Sequence, residues 1–252
     1  MATNLVEWQK NVQIKTVEQV YRSYDDPTVA GLFQQVIAMR RRGYGASYPP
    51  HFVAVDASDW LDRHYLVGEQ RHGVFEPLAG FRITTRSVNQ TAHIPFPLTD
   101  ALAHAGAPSH DRAIHQLISE ADKRSQEVQY LSWLTFHPSV RQNPVQSTWL
   151  KELAVAIFCH EIQTHRSLFL TAAVLQFKTY RWFGQAGYQR IVGEQREILS
   201  SLRNPFSGFD VELMVMQQPS RWAEDCMGQN QGLLARVESH GVLPELASDR
   251  AA

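Results

Sequence analysis

The chain has 252 residues, with 24 Lys and Arg against 25 Asp and Glu and a formal net charge of −1. A charge so close to zero gives no global field for nucleic acid or an anionic membrane, and no run approaches the roughly 18 apolar residues of a membrane span. Cys159 and Cys226 are too few for a disulfide framework, and Met1-Ala-Thr-Asn-Leu-Val-Glu-Trp8 lacks the apolar stretch of a secretion signal, so the expectation is a cytoplasmic chain of one domain.

Residues 14–42 read as a helical region interrupted near Asp25-Asp26-Pro27, with Ala30, Leu32, Phe33, Val36, Ile37 and Met39 along one face. Arg40-Arg41-Arg42-Gly43-Tyr44-Gly45 closes it, basic residues in a last turn before glycine. His51–Asp56, His64–Gln70 and Val74–Arg86 read as strands, the last two joined by a turn at Arg71-His72-Gly73. Asn89–Arg112, rich in Pro, Ala and His, reads as loop, and Ala113–Asp122 as a short helix. Its His104, His110, Asp111 and His115 show no metal-ligand spacing.

The near-continuous apolar run Tyr130–Phe136 reads as a buried strand, followed by His137-Pro138, a polar loop Ser139–Ser147 and a helix Trp149–Thr164. A strand end feeding a helix presents free amides to an anion. Ser167–Val174 reads as the next strand, and a helix then ends at Gln185-Ala186-Gly187-Tyr188. His160 and His165, about 140° apart around a helix, cannot share a metal on one face. Gln189–Leu199 and Asp210–Gln217 read as a hairpin, and Trp222–Glu238 as an amphipathic helix before a polar tail.

Leu134-Thr-Phe-His-Pro-Ser-Val-Arg141, with Gln176, Phe183, Gly187 and Tyr188 at the far end, resembles the GNAT N-acyltransferase superfamily. Upstream, Asp59, Asp62, Tyr65 and Arg82 resemble the "Asp-x-x-Asp…Tyr-Leu…Gly-x-x-Arg" pattern of acyl-homoserine-lactone synthases and N-acyl amino acid synthases. The three glycines of the superfamily's phosphate loop are Gln142, Pro144 and Gln146 here, which restricts backbone approach to a diphosphate. A phosphopantetheine arm, with one phosphate, asks less of that loop. Phe183 stands where a tyrosine general acid is common, and Tyr130, Ser132 and Trp133 replace the "Glu-x-Ser-Arg" of the lactone synthases.

The resemblance implies an α/β (α+β) fold: a GNAT-like mixed, mostly antiparallel central sheet flanked by helices, with a splayed central strand pair. It implies one acyltransferase domain over 1–252, with N-terminal helices over 14–45, an acyl-donor-binding core over 130–188 and a C-terminal helix and tail over 220–252. The implied reaction is direct attack by the amine of an amino acid or similar small molecule on an acyl thioester. No cofactor is bound permanently, and the co-substrate is acyl-phosphopantetheine on an acyl carrier protein, or acyl-CoA. Two alternatives stay open: a CoA-dependent acetyltransferase of a small amine or protein lysine, and a GNAT-fold binding protein without turnover.

His137 and Glu127 are the candidate bases. Leu134, Thr135, Phe136, Arg141, Gln142, Asn143, Ser147 and Thr148 are candidates to hold the donor, and Asp59, Asp62, Arg82 and Trp133 the acceptor. Arg82, a cation on an apolar strand, needs a carboxylate partner, for which Asp59 and Asp62 are the natural candidates. An apolar acyl channel is expected along Trp133, Phe158, Leu170 and Phe177, with a carrier-docking rim at Arg40–Arg42. A binding protein would instead fill its cleft with Tyr188, Trp149 or Gln142.

Overall fold

The computed structural model describes residues 5–45 and 55–241. After a short α1 (Leu5–Lys10) comes β1 (Val12–Val17), where helix was expected from residue 14. Its sequence alternates with period two, and Val12, Ile14 and Thr16 are buried. The helical region is therefore confined to α2 (Val20–Ser23) and α3 (Pro27–Tyr44). Asp26 caps α3 by accepting from the Thr28 amide at 2.7 Å, and Pro27 occupies the first turn. The strand expected over His51–Asp56 falls mainly on 46–54, outside the described residues; Val55 and Asp56 lead irregularly into a single 3-10 turn, Ala57–Trp60.

β2 (Arg63–Arg71) and β3 (Val74–Thr85) form the expected hairpin. The stretch expected as loop is instead helical: α4 (Arg86–Thr91), α5 (Pro97–Ala105) and α6 (Pro108–Lys123). Pro97 and Pro108 sit in first turns, where a missing N–H costs nothing, and Gly106 stops α5 at φ 60°. Next come β4 (Val128–Phe136), a one-turn α7 (Pro138–Arg141) and the long α8 (Pro144–His165). β5 (Leu168–Val174) and α9 (Thr179–Ala186) follow, then the short β6 (Gln189–Arg190) and β7 (Leu202–Arg203), and β8 (Asp210–Met216). The expected C-terminal helix is broken at Asn230 into α10 (Arg221–Gln229) and α11 (Gln231–Leu234), and the chain then adds β9 (Glu238–His240) to the sheet.

The sheet runs β6-β8-β5-β4-β3-β2-β1-β9, with β7 also on β8. Among the described strands only β4–β5 and β1–β9 are parallel. Strand alternation sorts the core onto two faces. Phe81, Leu131, Phe169 and Met214 pack under α8 and α9, whereas Val128, Leu170 and Leu213 pack under α5 and α6. Leu66 joins α3, and registers Leu66↔Gly80, Arg82↔Ser132 and Tyr130↔Leu170 put α3 on the α5 face.

Two local features open the sheet. The β4–β5 ladder ends at Leu131↔Thr171, although β4 continues to Phe136 and β5 to Val174; the Thr171 hydroxyl closes it by donating to the Leu131 carbonyl at 3.1 Å. Between Ser132 and Thr135, β4 carries one residue more than β3, a bulge with Trp133 at φ 59°. A left-handed tryptophan costs about 1–3 kcal/mol and persists only when its surroundings over-determine it.

Candidate active site

A cavity of about 630 Å³ occupies the opening between β4 and β5. Leu131 and Phe183 reach it from the α8 side of the sheet, and Tyr130 and Val211 from the α5 side, so it crosses the sheet plane. It has a polar lobe and a more apolar one. Toward β3 it meets Asp56, Ser58, Arg82, Ser132 and Trp133; toward β5 and β8 it meets Ala172, Val174, Phe177, Phe206 and Val211, with Thr179, Asn204 and Ser207 among them.

The polar lobe rests on a buried ionic lattice. Arg82 donates from Nη1 to Asp56 Oδ1 at 2.6 Å and to Asp59 Oδ1 at 2.9 Å, and from Nε to the Ser132 hydroxyl at 3.0 Å. Asp62 Oδ2 lies 3.2 Å from Nε and accepts from the Thr84 hydroxyl. Arg40 donates to Asp59 Oδ1 at 2.7 Å and to His64 Nδ1 at 3.1 Å, which leaves the His64 Nε2–H to donate to the Asp59 carbonyl at 2.8 Å. Both guanidiniums lie over the Trp133 ring, at 4.4 and 5.8 Å from its centroid, and the Tyr44 ring packs against it as well.

Burial pushes the Asp59 carboxyl up, but Arg82 and Arg40 together outweigh it and hold it at about 2. Asp62 is different: burial prevails over Arg82 and Thr84 and raises it to about 7. Burial, with Arg40 beside it, drives His64 down to about 3, so that imidazole is neutral.

Of the acceptor candidates, Arg82 and Trp133 line the cavity, whereas Asp59 and Asp62 are fully buried behind them and hold Arg82 in place. Asp100 of α5 also lines the cavity, and of the three aspartates around Arg82 the one that does so is Asp56, its side chain 43% exposed. Nothing local in the sequence singles it out. Arg40 was expected on a docking rim and is instead buried in the lattice; its position one and two turns beyond Val36 and Phe33 is the signal that it belongs to the apolar face.

Of the donor candidates, Leu134 lines the cavity, and its carbonyl accepts from the Tyr44 hydroxyl at 2.7 Å. Thr135 is buried against Gly43, and Phe136 packs on the core. Arg141 donates to the Gly43 carbonyl at 2.8 Å, at the C-terminal turn of α3. The expected phosphate loop is not open: α7 and the first turn of α8 take up most of it, with Gln142 ending α7. Asn143 accepts from the Gln146 amide at 3.3 Å and the Ser147 amide at 2.9 Å. Thr148 lines a separate open groove of about 700 Å³ on α8, α9 and α10, with Lys151, Lys178, Arg181, Trp182 and Trp222. Helical spacing makes α9 a partition: Arg181 and Trp182 face that groove, while Thr179 and Phe183 face the cavity.

Neither candidate base lines the cavity. His137 caps α7, its Nδ1 2.7 Å from the Ser139 hydroxyl, and partial burial followed by Arg42 lowers its pKa. Glu127 lies before the paired end of β4, where it accepts from the Ser87 hydroxyl at 2.5 Å and the Val128 amide at 3.0 Å. Phe158 and Leu170, expected along the acyl channel, are core residues, whereas Phe177 does line the cavity. Among the described residues no group of three or more His, Cys, Asp or Glu is placed to hold a metal ion, and no helix is long and apolar enough to cross a membrane.

No protein-family model matches the sequence, and no curated protein matches it. Solved structures do. A CoA-dependent acyl-homoserine lactone synthase, BjaI, solved with SAM and isopentyl-CoA, superposes with a TM-score of 0.50 over 96% of this chain and 100% of its own, at 15% identity. FeeM, an N-acyl amino acid synthase from uncultured soil microbes, gives 0.47 over 89% of this chain and 97% of its own, at 7% identity. An acyl-CoA N-acyltransferase from Pseudomonas aeruginosa gives 0.45 over 81% and 99%, at 12% identity. What the BjaI superposition establishes is the fold: a GNAT-like mixed, mostly antiparallel open sheet with its central parallel pair splayed.

Proposed function

We propose that the protein is an N-acyltransferase that moves an acyl group from a phosphopantetheine thioester to the amine of a small molecule. The observation that carries this reading is the two-lobed cavity through the splay, which offers an apolar surface and a hydrogen-bonding, carboxylate-bearing surface on either side of one gap. An acyl chain belongs against Ala172, Val174 and Phe177, and the amine against Asp56 and Ser132. Both reactants are then held at the bulge, where proximity supplies much of the rate.

In this reading the amine nitrogen attacks the thioester carbonyl carbon. The Leu134 amide, carried by the bulge beyond the last β4–β5 pair, donates to the developing oxyanion. Asp56 accepts the proton that the nitrogen loses, since it is the half-exposed carboxylate of the polar lobe. The C–S bond breaks and the thiolate leaves toward α9. The groove on the far side of α9, where Lys151, Lys178 and Arg181 outnumber the one carboxylate, Glu152, suits the phosphate of the donor arm, in place of a glycine-rich loop.

A cavity of about 630 Å³ fits an acyl chain and acceptor together better than an acetyl group. Tyr188, Trp149 and Gln142, which would plug a non-catalytic cleft, are not among its lining residues: Tyr188 packs edge-to-face with Phe183 and Trp149 with Trp8. The test is product analysis by mass spectrometry, with acyl-carrier-protein and acyl-CoA thioesters of several lengths offered against mixed amines and amino acids. An N-acyl product establishes the reading and names the donor. If no thioester is consumed from either donor class, the reading is wrong.

A further inference from the structure

Resting on that reading, we infer that the acceptor is an amine that carries no carboxylate, such as an alkylamine, diamine or amino alcohol, rather than a free amino acid.

The argument is the charge of the surface that the acceptor meets. Arg82 is the one Lys, Arg or His side chain among the described residues lining the cavity. Its side chain is 2% exposed, and its charge is already met by Asp56 and Asp59, with the Asp62 carboxyl 3.2 Å from Nε. Arg40, the next cation, is buried behind it and paired with Asp59. Two carboxylates do open on the cavity: Asp56, 43% exposed, and Asp100 in the first turn of α5, 39% exposed. His104 lies 3.5 Å from Asp100 on the outer side of α5 and is not a lining residue. The nine residues between Gly45 and Val55, Ala46 to Ala54, contain one histidine, His51, and no lysine or arginine.

The described lining thus offers two carboxylates and one guanidinium, and that guanidinium is compensated, partly by Asp56 itself, before any ligand arrives. A substrate carboxylate entering would be desolvated beside Asp56 and Asp100 with no unpaired Lys, Arg or His among the described lining residues. An ammonium gains from both; it gives one proton to solvent on becoming a nucleophile, and Asp56 takes the second as the amide forms. One uncompensated charge at this range changes affinity by at least about tenfold.

The test separates binding from turnover. Calorimetry without any donor compares pairs that differ only by the carboxylate: leucine with isopentylamine, lysine with cadaverine, tyrosine with tyramine. The expected result is binding of the decarboxylated member at least about tenfold tighter in one or more pairs, with Asp100→Asn narrowing the gap. Asp100 is exposed and outside the ionic lattice, so that variant folds even if Asp56→Asn does not. Amino acids binding equally well or better, or no amine in the panel binding at all, overturns the inference. Amine binding without acyl transfer from any thioester keeps the inference and overturns the transfer reading.

Discussion

Asp56 and Asp62 flank the same guanidinium yet meet different surroundings, one opening on the cavity and the other sealed beneath it. Asp56→Asn is expected to lower kcat/KM by about a hundredfold or more while His137→Ala stays within a few fold, because a base acts only within reach of the proton it takes. Steady-state kinetics on the two purified variants check this, and the reverse order would restore His137 as the base. Asp62 makes a stability prediction instead. Its carboxyl, raised to about 7 from an ordinary value near 4, is protonated in the folded chain where the unfolded chain has it ionised. Between about pH 4 and 7 the folded state therefore holds the extra proton, and this contribution to stability is lost as pH rises through that window. Asp59, held at about 2, works the other way: its contribution is present above about pH 4 and fades as pH falls toward 2. Urea midpoints of the wild type and Asp62→Asn across pH 4–8 should diverge in the variant's favour as pH rises; parallel curves would show that Asp62 is ionised throughout. That Arg82 must pair with nearby aspartates is legible in the sequence, since a cation on an apolar strand has few ways to be buried. Which aspartate stays open to the cavity depends on how the Ala57–Trp60 turn docks, and no local pattern encodes that.

At the level of elements, α3 is fixed to the bulged strand by close backbone approach. A Cβ at Gly43 would lie 1.8 Å from the Thr135 Oγ1, so Gly43→Ala must displace the Thr135 side chain or α3 itself. It loses about 1–3 kcal/mol from overpacking, more than the roughly 1 kcal/mol that alanine gains over glycine in a helix. Thermal unfolding of Gly43→Ala, Thr135→Ala and the double variant checks this: the double variant should be more stable than Gly43→Ala alone, and simple additivity would mean the contact is not what limits the site. The helix itself was readable because its cap, Asp26-Pro27, and its apolar stripe agree. Two other elements were misread for physical reasons. The alternation Val12, Ile14, Thr16 is only three turns of the pleat long and runs directly into helix, so the longer period dominates. α5 carries its helix signals as prolines, which read as loop markers unless placed at a first turn. β9 could not be seen at all, because it exists only through parallel pairing with β1 from the other end of the chain.

Across the whole molecule, the proposed function turns on one topological choice, the parallel pair β4–β5 inside a sheet whose described strands are otherwise antiparallel apart from β1–β9. That choice is visible in the sequence as two apolar runs separated by a helix-length segment, because parallel neighbours need such a crossover. The gap that follows is not visible, since it depends on where the ladder stops. Thr171 ends the pairing and Ala172, the next residue, lines the cavity with only a methyl group. A large side chain there would enter the apolar lobe and leave Asp56, Arg82 and Ser132 untouched. Ala172→Phe should therefore discriminate by acyl length: kcat/KM for a medium or long acyl thioester falls at least about tenfold more than for an acetyl thioester, while affinity for the amine holds within a few fold. The comparison is made with one acceptor and thioesters of increasing length on the same carrier. An equal loss at every length would mean that the chain does not run past Ala172, and would move the acyl group to another part of the cavity.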